Sequence, residues 1–217
     1  MAATPEAPSA GAVAAVVLAA GRSSRFAAGG GPPKQLFVLD GEPLVRRTTR
    51  LALSASVHGV VVVTGHRGDA VARAVVDLDV TVVHNPDFAQ GQSTSVRSGL
   101  AALGAHVDAA LFLPIDQPRL ETSLLDRLVD AWRSGRDASG RGPIAVPEAA
   151  GRRGAPVLFD RRFFPELAQL TGDVGGRAVL RRHAEAITTV AAETVHLMDL
   201  DRLQDLDALG YSPPRDD

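Results

Sequence analysis

No cysteine occurs in the 217 residues, so disulfides and thiolate metal centres are excluded. Net charge is nearly absent as well. With 23 Lys and Arg against 25 Asp and Glu, the balance of −2 gives no general attraction to nucleic acid or to an anionic membrane. A phosphate-bearing ligand must then be held by local donors. Residues 1–11 carry no basic stretch, and the apolar run 12–20 is too short to span a bilayer and ends in a glycine turn. This reads as a cytoplasmic protein. The six histidines show no metal-ligand spacing. No G-x-G-x-x-G and no G-x-x-x-x-G-K-[ST] is found, so neither a dinucleotide fingerprint nor a P-loop is written in the chain.

What is present is an ordinary globular composition, 45% hydrophobic and 22% charged. Short β-branched runs at 13–18, 59–64, 80–84, 109–113 and 144–146 suit strands buried on both faces, as in a parallel sheet. Helical patterns lie between them. One carries Leu44, Leu51 and Leu53 behind Pro43, with Arg46, Arg47 and Arg50 as its wet face; a second covers 95–103. A third runs through Leu124, Leu128 and Trp132, with Thr122 or Ser123 as N-cap. Beyond these, a strand is expected at 156–159, helices at 163–170 and 177–183, a last strand at 195–198 and a terminal helix at 203–209. The alternation predicts one doubly wound α/β domain, a Rossmann-like three-layer sandwich with a mostly parallel sheet. It occupies 12–211, between disordered tails at 1–11 and 212–217.

In such a sheet, ligands bind beyond the carboxyl ends of the strands. The first strand ends in Leu18-Ala19-Ala20-Gly21-Arg22-Ser23-Ser24-Arg25. Gly21 and its small neighbours let backbone N–H groups approach an anion. Arg25 adds a charge-assisted clamp, and Lys34 follows across the Gly/Pro loop 29–33. Taken alone, the same turn also suits a plain strand-to-helix connection with solvated basic residues.

With Pro33-Lys34-Gln35-Leu36 and Gly41-Glu42-Pro43-Leu44 following, the chain resembles the molybdenum cofactor cytidylyltransferase-like (MobA/MocA-like) nucleotidyltransferase family. The likeness continues in family order. It passes through Asn85-Pro86-Asp87-Phe88-Ala89-Gln90-Gly91 with Ser93 and Ser95, and then Asp116-Gln117-Pro118. Gly154-Ala155-Pro156, residues 170–177, and Asp199-Leu200-Asp201 with Asp205 complete it. Three places depart from the family pattern. Ala27-Ala28 follow Phe26 where a glycine is usual, Ala155 stands where a histidine is common, and Arg202-Leu203-Gln204 replaces Thr-Pro-Glu.

The resemblance implies a nucleotide-diphospho-sugar transferase-like fold and Mg²⁺-dependent nucleotidyl transfer with release of pyrophosphate. It implies that Leu18, Ala19, Ala20, Gly21, Arg22 and Ser23 cradle the triphosphate, and that Gly91 and Ser95 border base and ribose. Arg25 and Lys34 would neutralise phosphate charge. Asp116 would hold the metal with one of Asp199 and Asp201, the choice being open. Ala19-Ala20-Gly21 favours CTP, since guanylyl-transferring relatives usually read Leu-Ala-Gly-Gly. The implied acceptor is the phosphorylated molybdopterin cofactor, which leaves room for a molybdenum enzyme as a further partner. The alternatives are GTP or another acceptor on the same fold, an oxidoreductase resembling one that reduces a nicotine-derived pigment, and a non-catalytic nucleotide-binding partner of a molybdenum enzyme.

Overall fold

The computed structural model describes residues 11–23, 26 and 32–211. The expected tails at 1–10 and 212–217, and the loop residues 29–31, lie outside the described residues. Gly11, expected in the tail, already belongs to the body: its N–H donates to Asp108 Oδ2 at 2.8 Å.

Continuous apolar runs build the centre of the sheet. β1 (Val13–Ala19) pairs in parallel with β4 (Gly59–Thr64) on one side and β6 (Ala109–Pro114) on the other. β5 (Thr81–His84) lies parallel beyond β4. On the far side β9 (Val157–Asp160) runs antiparallel to β6 and links to β7 (Ile144–Ala149), which pairs in parallel with β10 (Ile187–Ala191). The eight-stranded sheet reads β10-β7-β9-β6-β1-β4-β5, with β8 (Arg152–Arg153) attached to β7. A small hairpin of β2 (Val38–Leu39) and β3 (Glu42–Pro43) stands apart.

Alternate residues of β1 face opposite layers, as the two-residue side-chain period requires. Val13, Ala15 and Val17 pack against α1 (Leu44–Leu53), α2 (Gly68–Arg73) and α4 (Thr122–Ser134). Val16 packs against α3 (Gln92–Ala101), α5 (Phe164–Leu167) and α6 (Arg177–Arg182). The three-layer, mostly parallel α/β architecture read from the sequence is thus the fold. Among the described residues, no helix is long and apolar enough to cross a membrane.

Several elements differ from the sequence reading; the helix expected at 163–170 is only Phe164–Leu167, and α2 was not anticipated. The last strand is β10, not 195–198; the latter forms a 3-10 turn, Thr194–Leu197. There Leu197 packs into the layer of α4 while Met198 joins a separate cluster with Phe37 and Leu44, so the chain turns between two apolar sites. Thr122 is the first helical residue of α4, and the N-cap is Glu121 without a side-chain bond. The terminal helix α7 is only Asp205–Ala208.

α3 carries part of one wall of the site, and its approach to the sheet is set by Gly99. A Cβ there would lie 2.4 Å from Val16 Cγ1 and 3.3 Å from Val63 Cγ2. Gly99→Ala should therefore lower stability by about 1–3 kcal/mol through overpacking, beyond the gain of up to about 1 kcal/mol in helix propensity. Urea denaturation checks this; a midpoint at or above wild type would contradict the packing described.

Candidate active site

Beyond the carboxyl end of β1, a cleft of about 630 Å³ opens. Its floor is the turn expected from sequence. Leu18, Ala20, Gly21, Arg22 and Ser23 line it, whereas the Ala19 side chain is buried in the layer of α1. Four carbonyls here are engaged by neighbouring groups. Ala20 O accepts from His66 N at 3.0 Å, Ser23 O from Phe26 N at 3.0 Å, and Ala19 O from Gln35 Nε2 at 3.3 Å. Gly21 O also accepts from Gln35 Nε2. Among the described residues, no acceptor takes the N–H groups of Gly21, Arg22 and Ser23. The N–H groups of Gly21 and Arg22, opposite the engaged carbonyls of Ala20 and Gly21 in their peptide planes, are left to receive an anion. Arg25 lies outside the described residues.

Lys34 is buried at the edge of this floor, and its Nζ lies 3.1 Å from Asp116 Oδ2 and 3.1 Å from Asp201 Oδ1. Asp116 follows β6. Asp201 is brought to it by Leu200, whose N–H donates to Asp116 O at 2.7 Å and whose fully buried side chain sits with Leu44 and Phe37. Burial of such a side chain stabilises by about 1.5–3 kcal/mol, which fixes the registry of Asp199 and Asp201 against the strand end. Asp199 stands outside the cleft lining and accepts from Gln117 Nε2 at 3.1 Å. Among the described residues, no group of three or more His, Asp or Glu side chains is arranged to hold a metal ion. Asp116 and Asp201 nevertheless fit one: they offer only hard oxygen donors, and the Lys34 ammonium already stands between them as a cation.

The opposite wall holds Gly91 and Ser95. Gly91 has φ +118, and a Cβ on it would lie 2.4 Å from the backbone of Gly172. Ser95 Oγ accepts from the buried Asn85 Nδ2 at 3.1 Å, and Asn85 also donates to Thr94 Oγ1 at 2.8 Å. Asp173 closes this wall, its Oδ1 accepting from Gln92 N at 3.3 Å at the start of α3. Sequence reasoning missed Gln35, Asp173 and Phe88 as site residues. Phe88 lines the cleft with the Arg22 guanidinium 5.7 Å from its ring centre. Only the family-like motifs around these three signalled them, because each finds its partners through the fold.

Residues 15–187 match the family described as MobA-like NTP transferase domain. The chain is similar to the nicotine blue oxidoreductase of Paenarthrobacter nicotinovorans, at 34% identity over 174 residues, covering 78% of this chain and 82% of that protein. It is also similar to the crystal structure of Rv0371c from Mycobacterium tuberculosis H37Rv, at 27% identity and TM-score 0.78, covering 93% and 98% of the two chains. A manganese complex of Rv0371c gives 26% identity and TM-score 0.75 over 91% and 97%. A nucleotidyl transferase of Methanothermobacter thermautotroptrophicus gives 26% identity and TM-score 0.76 over 91% and 95%.

The carboxyl of Asp199 is pushed up from 3.8 to about 6, first by desolvation and then by the charge of Asp116, against the opposing hydrogen bond from Gln117. A folded-state value above the unfolded one means that the neutral carboxyl is favoured by folding. Its contribution is full below pH 3.8 and is lost as pH rises through about 6. Asp199→Asn, in chelator, should therefore melt higher than wild type at pH 7.5, with a smaller difference at pH 5. A difference that does not grow between these pH values would contradict the desolvated site.

Proposed function

The chain belongs to the MobA-like NTP transferase family, and from that premise we propose that this nucleotidyltransferase is a CTP:molybdopterin cytidylyltransferase. The observation that carries the reading is Lys34, held 3.1 Å from both Asp116 and Asp201 beside a turn that presents backbone donors to the same cleft. Ala19-Ala20-Gly21 supports CTP. The acceptor rests on the family-like motifs, and Ala155, where relatives often carry histidine, is the weakest of them. A reaction that draws on CTP belongs with the cytoplasmic nucleotide pool.

In this reading an acceptor phosphate oxygen attacks the α-phosphorus of CTP. The bond from that phosphorus to the bridging oxygen breaks, and pyrophosphate leaves. A phosphate monoester carries a nucleophilic oxygen anion near neutral pH, so no side chain has to remove a proton. The turn holds the polyphosphate by its N–H groups, and Gly91 and Ser95 border the nucleoside. Asp116 and Asp201 would hold the divalent cation, with Mg²⁺ the expected one, while Asp199 accepts from Gln117 outside the cleft lining. When bound, the cation supplies charge neutralisation on phosphate oxygens. Lys34 is the counter-ion of the two carboxylates until a triphosphate offers it new partners; its ammonium then meets the charge developing on the leaving group. Catalysis of this kind is mainly positioning and electrostatics. Arg25 keeps its proposed role at the phosphates from sequence alone.

A second reading has one specific observation in its favour, the 34% identity to a nicotine blue oxidoreductase. Incubation with each NTP, Mg²⁺ and molybdopterin, following pyrophosphate, separates the two when run beside NAD(P)H consumption with a nicotine-derived pigment. The expected result is pyrophosphate with CTP and molybdopterin, cut at least ~100-fold in Asp116→Asn, as for loss of a transition-state stabiliser. NAD(P)H consumption without pyrophosphate would establish the oxidoreductase instead. Pyrophosphate only with another acceptor would move the assignment within the family.

A further inference from the structure

Gln35 follows Lys34 directly and also lines the cleft, yet its side chain takes different partners. It is 1% exposed, a burial that a primary amide tolerates only when its polar atoms are engaged. All of its partners lie at the last residue of β1 or in the turn after it. Nε2 donates to Ala19 O at 3.3 Å and to Gly21 O, and Ser23 Oγ donates to Oε1 at 3.5 Å. One buried amide therefore spends both its donor and its acceptor on three of five consecutive residues.

The consequence lies on the opposite side of those peptides. A peptide whose carbonyl is drawn toward the core presents the following N–H away from it, because the two groups are antiparallel in a trans peptide plane. Pinning Ala19 O and Gly21 O inward thus sends the N–H groups of Ala20 and Arg22 outward. His66 N does the same service at Ala20 O, 3.0 Å away, which turns out the N–H of Gly21. Ser23 is held at φ +51, a left-handed conformation that non-glycine residues adopt sparingly. The bond from its hydroxyl to Gln35 helps to hold it there. Without these bonds a turn of small residues would be free to point carbonyls into the cleft, and these would repel an anion.

We propose that Gln35 is the positioning residue of the polyphosphate site, holding the 19–23 peptides with their donors toward the cleft. The inference deepens the nucleotidyl-transfer reading and rests on it. Gln35 touches no substrate in this role; it acts through the turn.

Calorimetry with inorganic tripolyphosphate and with CTP tests it on the whole chain, beside the melting temperature. Gln35→Met keeps the stem length and removes the amide. It should weaken both ligands by the same factor, at least ~10-fold, as expected for two hydrogen bonds to the turn lost. Gln35→Asn keeps the amide on a stem one methylene shorter and reaches only part of the turn. It should weaken both by at least ~3-fold, and it carries the test if Gln35→Met does not fold. Variants that melt lower but bind tripolyphosphate as tightly as wild type would reduce Gln35 to a structural role and overturn the inference alone. A wild type that binds neither tripolyphosphate nor any NTP would overturn the site itself, and the functional reading with it.

Discussion

The ammonium of Lys34 is the point on which the arrangement turns. At 3.1 Å from Asp116 and 3.1 Å from Asp201, it joins segments that are 82 and 167 residues away in the chain. Three charged groups gathered at the edge of a cleft would be costly to bring together if they shared one sign. A single buried cation between two carboxylates makes the assembly tolerable, and it does so beside the backbone donors of the turn after β1. Leu200 supports the same junction from below with its buried side chain and its N–H on Asp116 O.

Such a junction has two cationic occupants in the proposed reading. A divalent ion held by Asp116 and Asp201 would compete with the ammonium for their oxygens, and a triphosphate in the cleft would offer that ammonium new partners. Nucleotide and metal would then favour each other's binding, and such coupling is reciprocal by linkage. Asp199 is not among the residues that line the cleft. Desolvation raises its carboxyl toward neutrality, and Gln117 donates to it.

The central sheet was legible because β1, β4 and β6 are continuous apolar runs, buried on both faces between helical layers. β10 was not. Ile187-Thr188-Thr189-Val190 lies at the sheet edge and is only partly buried, so its polar threonines hid it. The apolar residues at 195–198 looked like a strand but serve two different clusters. In the site, glycine and charge announced the turn, Lys34 and Asp116. The choice between Asp199 and Asp201, the closure of Asp173 on α3, and the inward turn of Gln35 depend on contacts across the fold. No local pattern encodes such pairings. Adjacent residues Lys34 and Gln35 take different partners, two carboxylates and the carbonyls after β1, which a linear reading does not separate.

The exchange at Lys34 is tested most directly by titrating Mn²⁺ into the protein by electron paramagnetic resonance, with and without CTP and in the absence of acceptor. The expected result is at least ~5-fold tighter Mn²⁺ binding when CTP is present, the lower range of coupling between linked sites. Lys34→Ala should already bind Mn²⁺ more tightly than wild type without nucleotide. Equal Mn²⁺ affinity in wild type and Lys34→Ala, unchanged by CTP, would contradict the account.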